Sequence, residues 1–137
     1  MKLIDRHNRK YTYLRLSITD RCNYKCKYCH PFNEFVQLQH KQILKYEDLL
    51  FIVNELTKVG VEKIRLTGGE PLVRKDLTNF IKELSSIQGI KEVTLTTNGS
   101  LLHLYAEELK KSGVNRINIS LDSLIAEKYA EITGGFS

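Results

Sequence analysis

Nothing in the 137 residues approaches the roughly 20 consecutive apolar positions needed to cross a bilayer. Runs such as Leu49 to Val53 are far shorter. The start, Met1 to Lys10, is polar and basic and lacks the apolar segment of a secretory leader. No membrane role and a cytoplasmic home are therefore expected. No block of five or six like charges occurs either, although the formal net charge is +5. A nucleic-acid module would cluster its basic residues and interleave aromatics, so no nucleic-acid partner is expected. Low-complexity stretches and linkers are absent. At 42% hydrophobic and 27% charged residues, the composition is that of an ordinary soluble domain.

A second group of cysteines is also missing. All three, Cys22, Cys26 and Cys29, fall within eight residues. An odd number packed into one loop does not make a disulfide framework. Metal binding is the better reading. Thiolates suit zinc, copper(I) or iron–sulfur clusters. Structural zinc normally takes four closed ligands, often as two separated pairs. His30 directly follows Cys29 and would have difficulty reaching the same small tetrahedron. A cubane cluster held by three thiolates leaves one iron open for a small molecule, an arrangement suited to chemistry rather than electron transfer alone.

Periodicity predicts four strands, Thr12 to Ile18, Lys63 to Thr67, Glu92 to Thr97 and Asn115 to Leu121. Helices are expected over Tyr46 to Val59, from an Asp76 N-cap to about Ile87, over Leu102 to Lys111, and from an Asp122–Ser123 capping pair toward Ile132. Strict alternation implies right-handed crossovers and a parallel sheet. Lys58-Val-Gly-Val-Glu-Lys-Ile64 recurs as Lys111-Ser-Gly-Val-Asn-Arg-Ile117, a helix end, a Gly turn and an entering strand each time. The long connection from Arg21 to Lys45 carries every cysteine. Asp20 and Arg21 are expected to shape it, and His7, His40 and His103 to be surface residues.

The strands do not read as continuously apolar. Leu14 and Leu16 alternate with Tyr13, Arg15 and Ser17; Ile64 and Leu66 with Lys63, Arg65 and Thr67. Val93 and Leu95 alternate with Thr94 and Thr96; Ile117 and Ile119 with Arg116, Asn118 and Ser120. One face of the sheet is thus apolar and the other polar, the latter lining a hydrated concavity such as the inside of a partial (βα) barrel. The expected fold class is α/β, with about four βα units, parallel strands and helices outside. A full (βα)8 barrel takes about 250 residues, so this is half of one.

Two motifs now carry a resemblance. Cys22-Asn-Tyr-Lys-Cys26-Lys-Tyr28-Cys29 resembles the signature of the radical S-adenosylmethionine (SAM) superfamily, and Thr67-Gly-Gly-Glu70-Pro71 its second landmark at a strand end. More widely, Tyr13 to Cys22, Lys63 to Leu72 with Arg74 and Asp76, Leu95 to Gly99, and Ile117 to Ser123 resemble the GTP 3',8-cyclase family of molybdenum-cofactor biosynthesis. The resemblance implies a [4Fe-4S] cluster on Cys22, Cys26 and Cys29. It implies SAM contacts from Tyr28, Gly68, Gly69, Glu70 and Ser120, and GTP contacts from Arg15, Arg65 and Thr96. It further implies an electron-donor protein and a downstream cyclic pyranopterin monophosphate synthase as partners. Arg15, Arg65, Thr96 and Ser120 all fall on the polar face inferred from alternation. In that family a second cluster on three C-terminal cysteines holds the guanine, and the chain ends in Gly-Gly. This sequence has neither, and Gly134 and Gly135 before Phe136 and Ser137 read as a turn. It is therefore expected to be the N-terminal part of such an enzyme, not competent on GTP alone. Other radical SAM activities, peptide-modifying or heme-pathway, share both motifs, and a non-catalytic iron–sulfur or zinc protein would share the cysteines.

Overall fold

A computed structural model of the chain describes residues 2–29 and 37–135. His30, weighed above as a zinc ligand, and Phe136 and Ser137 lie outside the described residues. Four parallel strands, β1 (Tyr13–Ser17), β2 (Lys63–Thr67), β3 (Glu92–Thr97) and β4 (Arg116–Ile119), lie side by side in chain order. Helices α1 (Tyr46–Lys58), α2 (Leu77–Ser86), α3 (Leu102–Ser112) and α4 (Ala126–Thr133) follow the strands in turn. This is the arrangement expected of a partial (βα) barrel.

The core forms because the apolar stripes of strands and helices have one place to go. Ile64, Leu66, Val93 and Leu95 from the sheet pack against Leu49 and Val53 of α1, Leu77, Phe80, Ile81 and Leu84 of α2 and Leu109 of α3. Full burial of each such side chain is worth about 1.5–3 kcal/mol before entropy is counted. The opposite strand face is left uncovered by these helices. Arg15, Ser17, Arg116 and Asn118 are exposed there, and Arg65 and Thr96 half-buried.

Element ends differ from expectation where local hydrogen bonding decides them. β1 and β4 are shorter than the alternating runs, but the flanking backbone stays bonded. Lys63 N–H donates to Thr12 O (3.0 Å), Ile18 N–H to Thr67 O (3.0 Å) and Ser120 N–H to Thr97 O (2.9 Å). Asp76 does precede α2, yet it does not cap it with its side chain. It sits at φ 58°, in the left-handed region, and its backbone carbonyl accepts from Phe80 N–H (3.1 Å). The expected Asp122–Ser123 cap of α4 is likewise corrected. Ile125 occupies the N-cap, and the Asp122 carboxylate is engaged elsewhere. Gly113 (φ 101°) and Gly134 (φ 83°) end α3 and α4 in the left-handed conformation that L-residues resist, so the glycines near the C-terminus form a turn. Among the described residues, no helix is long and apolar enough to cross a membrane.

Candidate active site at the strand ends

β1 runs directly into the cysteine loop, and two backbone bonds zip that loop to the end of β2. Gly69 N–H donates to Thr19 O and Glu70 N–H to Arg21 O, both at 2.7 Å. The approach is so close that a Cβ on Gly68 would overlap the Thr19 carbonyl, and one on Gly69 the Arg21 carbonyl. The need for glycine here is therefore met first by backbone against backbone. Only Gly68, at φ 152°, leaves the ordinary range.

Glu70 is engaged within the protein. Expected at SAM, its carboxylate is 1% exposed and accepts three hydrogen bonds from the protein. The donors are Leu72 N–H (3.0 Å), Thr97 Oγ1 (2.7 Å) and Asn98 N–H (2.7 Å). A buried carboxylate is tolerable only when so satisfied. It ties the end of β2 to the end of β3. Asn98 continues the network, donating from Nδ2 to Asn23 Oδ1 (3.0 Å), and Asn23 Nδ2 donates to Ser100 Oγ (2.9 Å).

The loop is fastened at its other points too. Lys25 N–H and Lys27 N–H donate to Thr133 O (3.2 Å) and Ile132 O (2.9 Å), at the end of α4. The Tyr28 hydroxyl donates to Asp122 Oδ2 (3.1 Å), just beyond β4. Arg74 donates to Ile18 O and Leu44 O and lies 3.9 Å over the Tyr46 ring. As expected, Asp20 and Arg21 shape the loop: Leu38 N–H donates to Asp20 Oδ2 (2.5 Å) and Arg21 Nη2 to Leu38 O (2.6 Å).

So held, Cys22, Cys26 and Cys29 line one cavity of about 270 Å3, together with Ser17, Thr19, Asp20, Tyr24, Gly68 and Gly69. All three thiols are free. Tyr28, Glu70 and Ser120 are not among its lining residues. Ser17, Thr19, Asp20 and Tyr24 were not singled out from the sequence as cofactor residues; alternation did place Ser17 on the polar face. Burial pushes the Cys22 thiol up, with the charges of Glu70, Cys26 and Cys29 adding to it. Burial also raises Cys26, with Asp122 and Cys29 adding, while the Tyr28 hydroxyl opposes. Burial and hydrogen bonds to Cys26 and Asp122 push Tyr28 well above the usual phenol range.

Among the described residues, no three His, Cys, Asp or Glu side chains converge tightly enough for a single metal ion. Three soft thiols spread around a cavity fit a polynuclear iron–sulfur cluster instead, in which each thiolate binds its own iron. The donor set is therefore compatible with the group that the cysteine motif implies.

Below the cavity the polar face is ordered in rows by the strand register. Ser17 pairs with Thr67 and Thr96 with Asn118, nearest the cysteines. Next come Arg15, Arg65, Thr94 and Arg116 in line, and then Tyr13, Lys63 and Glu92. Rows two residues apart lie about 6.6 Å from each other along the strands. Arg15 and Arg65 are direct neighbours, and among the described residues neither pairs with a carboxylate. Arg65 lies 5.6 Å from the Tyr13 ring centroid. Among the described residues, Arg65 Nε and Thr96 Oγ1, with Asp20 Oδ1 in the cysteine loop, are buried and have no hydrogen-bond partner. Native proteins pair most such atoms, so each calls for an explanation.

The radical SAM superfamily profile matches residues 16–136. The GTP 3',8-cyclase of Geobacter sulfurreducens is 50% identical over 133 residues, covering 97% of this chain and 41% of that protein. That of Alkaliphilus oremlandii is 48% identical over 131 residues, or 96% and 41%. The chain thus spans about two fifths of the length of these curated relatives. Among solved structures, Streptococcus suis SuiB bound to S-adenosylmethionine superposes with a TM-score of 0.73 at 22% identity, over 90% of this chain and 28% of that one. BtrN in complex with AdoMet and 2-DOIA gives 0.63 at 18%, over 94% and 53%. At those identities the likeness is one of fold. The cysteine loop fastened to a Gly-Gly strand end, on a sheet of this topology and with a family match over most of the sequence, places the chain in the radical SAM superfamily.

Proposed function

We propose that this chain is the N-terminal part of a GTP 3',8-cyclase, which makes 3',8-cyclo-7,8-dihydro-GTP in the first step of molybdenum-cofactor biosynthesis. Identity near 50% to proteins of that name, along nearly the whole chain, supports the reading. The observation that carries the substrate is the pair of adjacent arginines without carboxylate partners among the described residues, with Arg65 Nε and Thr96 Oγ1 left unsatisfied there beside them. Two guanidinium forks side by side repel unless an anion joins them, and their planar donors match phosphate oxygens.

The rows orient the nucleotide. Hydroxyl and amide groups of Ser17, Thr67, Thr96 and Asn118 lie nearer the cysteines and suit ribose and base. The arginine row lies deeper and suits the triphosphate. The ribose is thereby carried toward the cysteine cavity.

In this proposal Cys22, Cys26 and Cys29 hold the [4Fe-4S] cluster, and Gly68, Gly69, Tyr28 and Ser120 border SAM. Bound there, the cluster supplies the electron for reductive cleavage of SAM. The protein's part is to fix the loop, exclude water and aim the ribose. Glu70 serves by pinning the strand ends rather than by touching SAM. An electron-donor protein, a downstream cyclic pyranopterin monophosphate synthase and a cytoplasmic location belong to the same proposal.

Anaerobic reconstitution of the full-length protein tests it. A [4Fe-4S] absorption band, SAM cleavage under a chemical reductant and GTP binding lost in Arg15→Ala and Arg65→Ala are the expected results. Bound zinc with no SAM affinity, or cleavage surviving Cys26→Ala, would sink it.

A further inference from the structure

The arginine row has a third member that the substrate reading leaves unused. Register sets Arg116 across Thr94 from Arg65, and because Ile117 packs on the core, Arg116 shares the polar face with Arg15 and Arg65. Unlike them it has an acidic neighbour. Arg116 Nη2 lies 3.6 Å from Glu92 Oε1, and Lys63 Nζ lies 3.4 Å from Glu92 Oε2. One carboxylate therefore stands between cations from β2 and β4, a row below Arg15 and Arg65.

Neither contact has the 2.7–2.9 Å length of a charge-assisted hydrogen bond. The Arg116 and Lys63 side chains are 67% and 50% exposed, against 22% for Glu92. The carboxylate is the embedded partner and the cations are free to turn. Burial works against its ionisation, but Arg116 and Lys63 outweigh this and hold the carboxyl below its ordinary range. It is an anion fixed inside a face otherwise built for one.

An ordinary surface pair would stabilise the sheet slightly and do nothing else. Here the same two cations flank arginines whose guanidinium groups have no carboxylate among the described residues, so protein anion and ligand anion draw on one set of charges. A short anionic tail would be met by Arg15 and Arg65 alone. A longer one reaches the row where Glu92 sits.

We propose that Glu92 is a built-in competitor for the far end of the substrate's anionic tail, holding Lys63 and Arg116 until a terminal phosphate takes them over. Glu92 and Arg116 thereby set how strongly the site distinguishes a nucleoside triphosphate from a monophosphate. This rests on the reading of the polar face as a nucleotide site.

The test is equilibrium binding of GTP and of guanosine 5'-monophosphate to the full-length protein and its variants, at fixed low salt. Glu92→Gln is expected to tighten GTP about tenfold and Arg116→Ala to weaken it about tenfold, with the monophosphate changed less than about twofold in each. Arg116→Lys, which keeps the charge, should recover most of the loss. In the double variant Glu92→Gln/Arg116→Ala the gain from Glu92→Gln should shrink, since the two act through one contact. Equal effects on both nucleotides, or none on GTP, would overturn this proposal alone. An unaltered protein that binds no GTP would overturn the substrate reading with it.

Discussion

The two ends of the polar face are built on opposite terms. Around the cysteines most polar groups are answered by the chain itself, with Asp20 Oδ1 the buried exception among the described residues. Glu70 has three donors, Asn23 and Asn98 bond each other, and backbone amides of the loop reach α4. One row or two below, Arg15 and Arg65 stand together without carboxylates among the described residues, and there Arg65 Nε and Thr96 Oγ1 have no partner. The contrast teaches which part is prepared in advance. A multi-iron group needs ligands held at fixed positions before it arrives, whereas a charged substrate must find donors that nothing else occupies.

The sharpest way to break this contrast is at Glu70. Glu70→Ala leaves Thr97 Oγ1 and Asn98 N–H without their acceptor in a buried position. A loss of about 2–4 kcal/mol in folding stability is expected, read by chemical denaturation. Gly69→Ala should come next. Its new methyl meets the Arg21 carbonyl, so the loop must move, costing about 1–3 kcal/mol and reducing iron uptake on anaerobic reconstitution.

The thiols offer a test by pH. Cys22 and Cys26 are both raised by burial, so at neutral pH they carry their protons, which metal must displace. Loading should therefore be faster at pH 8.5 than at pH 7, followed by the growth of the cluster absorption band. A rate independent of pH would contradict it.

The smallest effects on stability belong to the rows of the proposed substrate site. Thr96→Val removes an unsatisfied hydroxyl and should change stability by less than about 0.5 kcal/mol, in either direction. Arg65→Ala should be comparably mild in a thermal melt while abolishing most GTP affinity. A large loss of stability in either would mean that the face is structural, like the loop above it.

Much of this was legible without coordinates because period-two patterning is written residue by residue. Leu14, Leu16, Ile64, Leu66, Val93 and Leu95 mark the core face, and Arg15, Arg65 and Thr96 the other, with no knowledge of their neighbours. The limits of β2 and β3, the Gly113 stop and the cysteine loop after β1 followed from the same local signals. Asp76 and Asp122 misled because a carboxylate before a helix is a capping signal by composition alone. In the fold one adopts a left-handed backbone and the other accepts the Tyr28 hydroxyl.

By itself the sequence determined the order of strands and helices, the face each side chain takes and the three-thiol donor set, because those depend on neighbours along the chain. Only the tertiary structure decided that Gly68 and Gly69 make room for the Thr19 and Arg21 carbonyls, that Glu70 is consumed in tying β2 to β3, and that Glu92 lies between Lys63 and Arg116. Each depends on the register and approach of segments tens of residues apart, which no spacing along one strand records.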